Sequence, residues 1–140
     1  MKNLVFEQQI NANREKVWEV LFTQDSYQKW SSAMNEGTYF EGDWSEGSTM
    51  KFLDQSNNGM YNLVEKNNFP QELSMKHLGW IIDGKPEPQN WEDSTVSYFL
   101  EPNENGTLLT VKVNSLDEFV DFFRTKYPKN LELIKQLSEE

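Results

Sequence analysis

The sequence predicts an α+β fold in which a curved antiparallel sheet wraps around a long C-terminal helix. Three observations carry this. Apolar residues recur at helical spacing in two stretches, one soon after the first strand and one from Leu116 onward. Between them, from Gly37 to Asn114, the spacing is alternating and is punctuated by short turn-forming clusters. Successive strands joined in that way make a meander. One face of such a sheet can stay solvated while the other needs a cover, which the C-terminal helix supplies. The expected order is one strand, two helices, six strands and one long helix.

Leu4, Phe6 and Ile10 mark the first strand. Asn13 then serves as N-cap of a helix over 14–22, with Val17, Val20 and Leu21 on one face and Trp18 beside them. QDSYQKW reads as a second short helix ending near Trp30, and SSAMNEG as its exit loop. TYFEGD and STMKFLD flank the turn WSEG as a hairpin, with Met50 and Phe52 pointing one way and Lys51 and Leu53 the other. MYNLVEK and ELSMKHLGWII follow as strands. DGKPEPQN, with two prolines and a glycine, reads as a loop. WEDSTVSYFLEP and TLLTVKVN complete the meander. Ser115 and Glu118 fit a capping box opening the last helix. Leu116, Phe119, Val120, Phe123 and Tyr127 form its stripe, and Pro128 predicts a kink or restart before Leu131, Ile134 and Leu137.

The length, 140 residues, suits one domain over 1–140. A formal net charge of -10, from 23 acidic against 13 basic side chains, excludes nucleic acid as a partner class and disfavours anionic membrane surfaces. No apolar run is long enough to span a bilayer, and the first residues lack the apolar core of a signal peptide. The expectation is a cytoplasmic protein. Without cysteine there is no disulfide, thiolate metal site or thiol nucleophile. Only 36% of residues are hydrophobic, which with this charge resembles a disordered chain, but five Trp, five Tyr and nine Phe supply the large apolar surface a core needs.

NREKVWEVLFTQDSYQKW resembles the opening of the START-like, or SRPBCC, helix-grip superfamily. GDWSEGSTMKFLD, the strand–turn–strand segment ending in LGWII, and YFLEPNENGTLLTV are similar to one branch of it, the family related to the C-terminal domain of the heat-shock-protein-90 ATPase activator. The resemblance spans nearly the whole chain. It implies a helix-grip fold with an interior pocket, in a family whose members bind lipids, hydrophobic metabolites or other proteins and whose relatives include cyclases and hydrolases.

Function then turns on the concave space between sheet and helix, because concave, aromatic-lined spaces take small apolar ligands. The candidate lining is Trp30, Met34, Phe52, Met60, Met75, His77, Trp91, Tyr98, Phe119 and Phe123. Trp91 follows a loop and starts a strand, which suits the mouth of a cavity; the resemblance places Trp30 at the opposite rim. Phe119 and Phe123 face the sheet from the helix, and the methionines add adaptable surface. His77 or Tyr98 would be the polar anchor. The same rings and thioethers could instead simply fill a solid core. His77, the sole histidine, shares parity with Leu73, Met75 and Ile81; it is read as a surface or hydrogen-bonded structural residue in preference to a general base, and no catalytic residue is assigned. The acidic residues of GDWSEG and beside Gly84 are turn formers, with no metal-binding spacing and no phosphate cradle, so no metal or cofactor is expected. The leading expectation is a non-enzymatic module for a small hydrophobic ligand. A chaperone-associated interaction module and a cyclase- or hydrolase-type enzyme are the alternatives.

Overall fold

The computed structural model describes residues 1–91 and 93–140. Its elements are β1 (Lys2–Ile10), α1 (Arg14–Phe22), α2 (Gln24–Trp30), β2 (Tyr39–Glu41), β3 (Thr49–Leu53), β4 (Gly59–Asn68), β5 (Glu72–Ile82), β6 (Lys85–Pro88), β7 (Thr95–Asn103), β8 (Gly106–Ser115) and α3 (Val120–Ser138). The strands form one antiparallel sheet in the order β1-β8-β7-β5-β4-β3-β2, with β6 paired to β5. Alternation dictates which residues of each strand enter the core. In β7, Val96, Tyr98 and Leu100 are buried, and in β8 Leu109, Val111 and Val113 are buried. They meet Val120, Tyr127, Leu131 and Ile134 of α3 and Val17, Val20 and Leu21 of α1 in a single apolar cluster. The sheet is therefore closed on one face by α3, with α1 and α2 packed beside it.

Local chemistry explains the helix boundaries. The Asn13 side chain accepts from Lys16 N at 2.8 Å, capping α1 as the sequence predicts. The capping box expected at Ser115 does not form. Ser115 ends β8 with its hydroxyl bonded to Leu116 O, and a 3-10 turn, Asp117–Phe119, leads into α3. The helix also runs through Pro128 without the expected restart. The packed stripe of Tyr127, Leu131 and Ile134 continues on either side and offsets the one backbone bond that proline removes.

Two sheet features differ from the sequence reading. KPEP is a strand, not a loop: Ile82 pairs with Lys85 and Gly79 with Pro88. Proline is admissible there because β6 is an edge strand whose other side makes no ladder. The strand into Tyr98 starts at Thr95 and not at Trp91. The second feature is a bulge. Tyr61 pairs with Gly79 but Asn62 pairs with His77, leaving Leu78 as an extra residue on β5. Parity inverts across it. His77 stays on the face of Leu73 and Met75, but Ile81 does not share that face; Trp80 does. Ile81 and Leu53 are buried apart from the main cluster, on the opposite side of the sheet.

Candidate functional site

Register places Phe40, Phe52, Met60 and Trp80 side by side across β2, β3, β4 and β5 on the concave face. At the β2 end this row is sealed. Trp44, carried by the loop after β2, turns its ring onto Phe22, Phe40 and Phe52, with centroids 4.8–5.7 Å apart. Its backbone sits at φ 64, a conformation that costs a non-glycine residue about 1–2 kcal/mol. The ring's burial and two bonds hold it there: Trp44 N to Met50 Sδ at 3.2 Å, and Asn67 Nδ2 to Trp44 O at 2.8 Å. Tyr27 and Trp30 extend the cluster edge to face.

At the β5 end the same row stays partly open. Trp80 packs edge-on against Trp91 at 4.9 Å and Phe119 at 6.0 Å, and all three rings are only half-buried. They come from the sheet, from the segment between β6 and β7, and from the turn entering α3. The segment carrying Trp91 is fixed by Ser94 N to Trp91 O at 3.1 Å, His77 N to Ser94 O at 2.9 Å and Asn114 Nδ2 to Asp93 O at 2.6 Å. Gly79 is required on the other side of Trp80: a Cβ there would lie 2.4 Å from Glu87 O, so β6 could not approach.

Behind these rings lies a polar pair in an apolar wall. His77 Nδ1 is 3.0 Å from Asn62 Oδ1. An amide oxygen only accepts, so Nδ1 carries the proton and Nε2 is left as an acceptor. Asn62 is itself 2% exposed and its Nδ2 reaches Met75 Sδ. Burial pushes the His77 pKa down to about 4, so the ring is neutral at pH 7.

The structure divides the sequence-derived residues between these two ends and the middle. Trp30, Met75 and Tyr98 are in the packed core, and the Trp30 indole N–H is spent on Val20 O at 3.0 Å. Met34, Phe52 and Phe123 lie partly buried against that core. Met60, His77, Trp91 and Phe119 collect at the half-open end. Asn62 was missed, although it occupies an apolar-parity position between Met60 and Val64; a polar residue at core parity was the available signal. In the middle, burial raises the phenols of Tyr98 and Tyr127 and lifts Tyr27 to about 12. Elsewhere two polar clefts of about 510 Å³ lie on the outside, one along α1 and α2 near Lys16 and Gln24, the other between Asn13 and Asn103. Among the described residues, no group of three or more His, Cys, Asp or Glu could hold a metal, and no helix is long and apolar enough to cross a membrane.

An antiparallel sheet gripping a C-terminal helix, with aromatic residues between them, is the helix-grip architecture of the SRPBCC superfamily, a class of ligand-binding and interaction modules. Residues 11–133 match the family described as activator of Hsp90 ATPase homolog 1-like protein, and the chain belongs to that family. Among solved structures it is similar to the Aha1 dimer from Colwellia psychrerythraea, with 26% identity, a TM-score of 0.76 and coverage of 99% of this chain and 97% of that one. A Mesorhizobium loti protein shares 17% identity at TM-score 0.76, covering 97% and 96%. An AHSA1-like protein from Aeromonas hydrophila shares 15% at TM-score 0.74, covering 99% and 92%. A comparison with curated proteins gives no significant match.

Proposed function

We propose that this protein is a non-enzymatic binding module that takes a small, largely apolar molecule between the sheet and α3, entering past Trp80, Trp91 and Phe119. One observation carries the reading. The three rings converge from three separate elements yet remain half-buried, over Met60 and a neutral histidine whose Nε2 faces no protein donor among the described residues. Apolar walls with one or two placed polar groups are the usual composition of a small-molecule site. Trp30, Met34, Phe52, Met75, Tyr98 and Phe123 would form the deeper wall, and no cofactor or metal is needed.

Tryptophan emission reports on this directly, since Trp80 and Trp91 are at the entrance. Titration with a panel of fatty acids, sterols and aromatic metabolites should give saturable emission changes and a raised Tm for at least one class. No change in either across the panel would sink the reading.

A second reading, docking to a protein partner such as a chaperone, has its own support. Phe69 is 58% exposed at the β4–β5 turn with its ring edge-on to Trp18 at 5.4 Å, and the family is described by its likeness to an Hsp90 ATPase activator. Co-purification with a chaperone that Phe69→Asp abolishes would favour it. The cyclase or hydrolase alternative gains nothing from His77, whose partner is an amide that does not titrate. A cytoplasmic location fits this reading.

A further inference from the structure

Trp80, Trp91 and Phe119 make a corner, not a flat apolar patch. Trp80 meets Trp91 at an interplanar angle of 87° and Phe119 at 72°, with centroids 4.9 and 6.0 Å apart. Rings that meet edge to face leave their remaining faces turned across one another. Each ring keeps part of its surface exposed. The corner is also held from three sides: Trp80 by β5, Phe119 by the 3-10 turn before α3, and Trp91 by the backbone bonds that run through Ser94 to His77.

Charge is a second, independent observation. Glu87 is the direct cross-strand partner of Trp80, Asp93 lies two residues after Trp91, and Glu118 immediately precedes Phe119. All three carboxylates are exposed, and none is in an ion pair among the described residues. Asp117, next to Glu118, already holds the amino terminus at 3.2 Å. Lys85, the basic residue of β6, stands opposite Ile82, two rungs from the Trp80–Glu87 pair. The cation that the chain lays over a ring, among the described residues, is elsewhere: Lys112 over Phe99 at 5.1 Å, on the outer face of β7.

We propose that this corner receives an alkylated ammonium group, so that the molecule bound here is a hydrophobic cation such as a quaternary amine. An aromatic face carries partial negative charge and attracts a cation by roughly 0.5–2 kcal/mol, most strongly when the ring is tryptophan. Alkyl groups on the nitrogen fill the apolar corner, and the charge stays beside an unpaired acidic rim that raises the local concentration of cations. A carboxylate would meet like charge at the rim and on the ring faces together. This rests on the binding reading above and names what that entrance selects; a neutral ligand would satisfy that reading and not this one.

The test titrates the whole protein at pH 7 with phenyltrimethylammonium, with tert-butylbenzene as its uncharged carbon isostere, and with 4-tert-butylbenzoate. The readout is the NMR shift of the Trp80 and Trp91 indole resonances. The ammonium should bind about tenfold tighter than its isostere, with the benzoate weakest and both resonances moving. Trp91→Leu, which keeps apolar bulk and loses the indole face, should bring the ratio of ammonium to isostere below about twofold, and Trp91→Phe should restore part of it. Asp93→Asn combined with Glu118→Gln should weaken the ammonium about threefold and leave the isostere unchanged. Glu101→Gln combined with Glu104→Gln makes the same change in net charge at the far end of β7 and should have no effect. Equal binding of ammonium and isostere would overturn this inference and leave the binding reading standing. Equal losses in the two double variants would also overturn it, since the attraction would then belong to the charge of the whole chain. If fatty acids, sterols or aromatic metabolites bind and the ammonium does not, this inference alone falls; if nothing moves either resonance, both fall.

Discussion

The two ends of the concave row are built from the same kind of residue and do opposite things. At the β2 end, Trp44 meets Phe22, Phe40 and Phe52, Tyr27 meets Phe40 and Phe52 as well, and a strained backbone is tolerated to plug the gap with an indole. At the β5 end, Trp80, Trp91 and Phe119 touch only in a chain and keep part of their surface in water. Aromatic content alone therefore does not mark a site. What differs is the number of elements that close over the rings and the presence of a polar pair behind them.

The sharpest way to break this contrast is truncation at the closed end. Phe22→Ala should cost about 3–5 kcal/mol in urea unfolding, as expected for a fully packed phenylalanine. A cost under about 1 kcal/mol would show that this end is not sealed. Next is acid. The folded pKa of His77 is depressed from 6.5 to about 4 by burial, so the unfolded chain binds the proton more readily in that window. Stability should be fully present above about pH 6.5 and fall as pH drops toward 4, by up to ~3 kcal/mol from this group. His77→Gln, compared with the parent across pH 4–6.5, should remove the slope of one proton; identical slopes would contradict the burial of the ring. A third change acts on the frame of the open end. Gly79→Ala, whose Cβ would collide with Glu87 O, should cost about 1–3 kcal/mol and detach β6. Amide exchange at Gln89, which donates to Leu78 O, would report it by faster exchange. The smallest effect is expected for Trp91→Leu, which keeps most of the apolar burial and loses the edge-on ring pair, about 0.5–1.5 kcal/mol, with any ligand response in emission reduced far more. A large stability loss there would make Trp91 core and erase the distinction between the ends.

The sequence made the fold class legible because alternation and helical spacing are strong, local signals. Val96, Tyr98 and Leu100, and Val120, Tyr127, Leu131 and Ile134 of the helical stripe, lie on the core faces their spacing implies. Three details escaped for identifiable reasons. KPEP looked like a loop because proline rarely enters a strand, and edge position depends on tertiary pairing that a local reading does not see. The capping pattern at Ser115 and Glu118 was present, but β8 extends through Ser115 and claims it. The parity of Ile81 was wrong because a single bulged residue leaves no compositional mark. Of the proposed lining, the rings and thioethers were legible as inward-parity residues, whereas Asn62, a buried polar residue at an apolar position beside His77, was passed over.

Leu78 has a consequence for how such a protein can diversify. Inserting or deleting one residue at that point would exchange every side chain from 79 to 82 between the interior and the outer surface. A single in-frame mutation can therefore rebuild the entrance in one generation while the sealed half inherits unchanged. Divergence by point substitution would need several coordinated steps to do the same, so lineages with this architecture have a short route to new entrances on an old core.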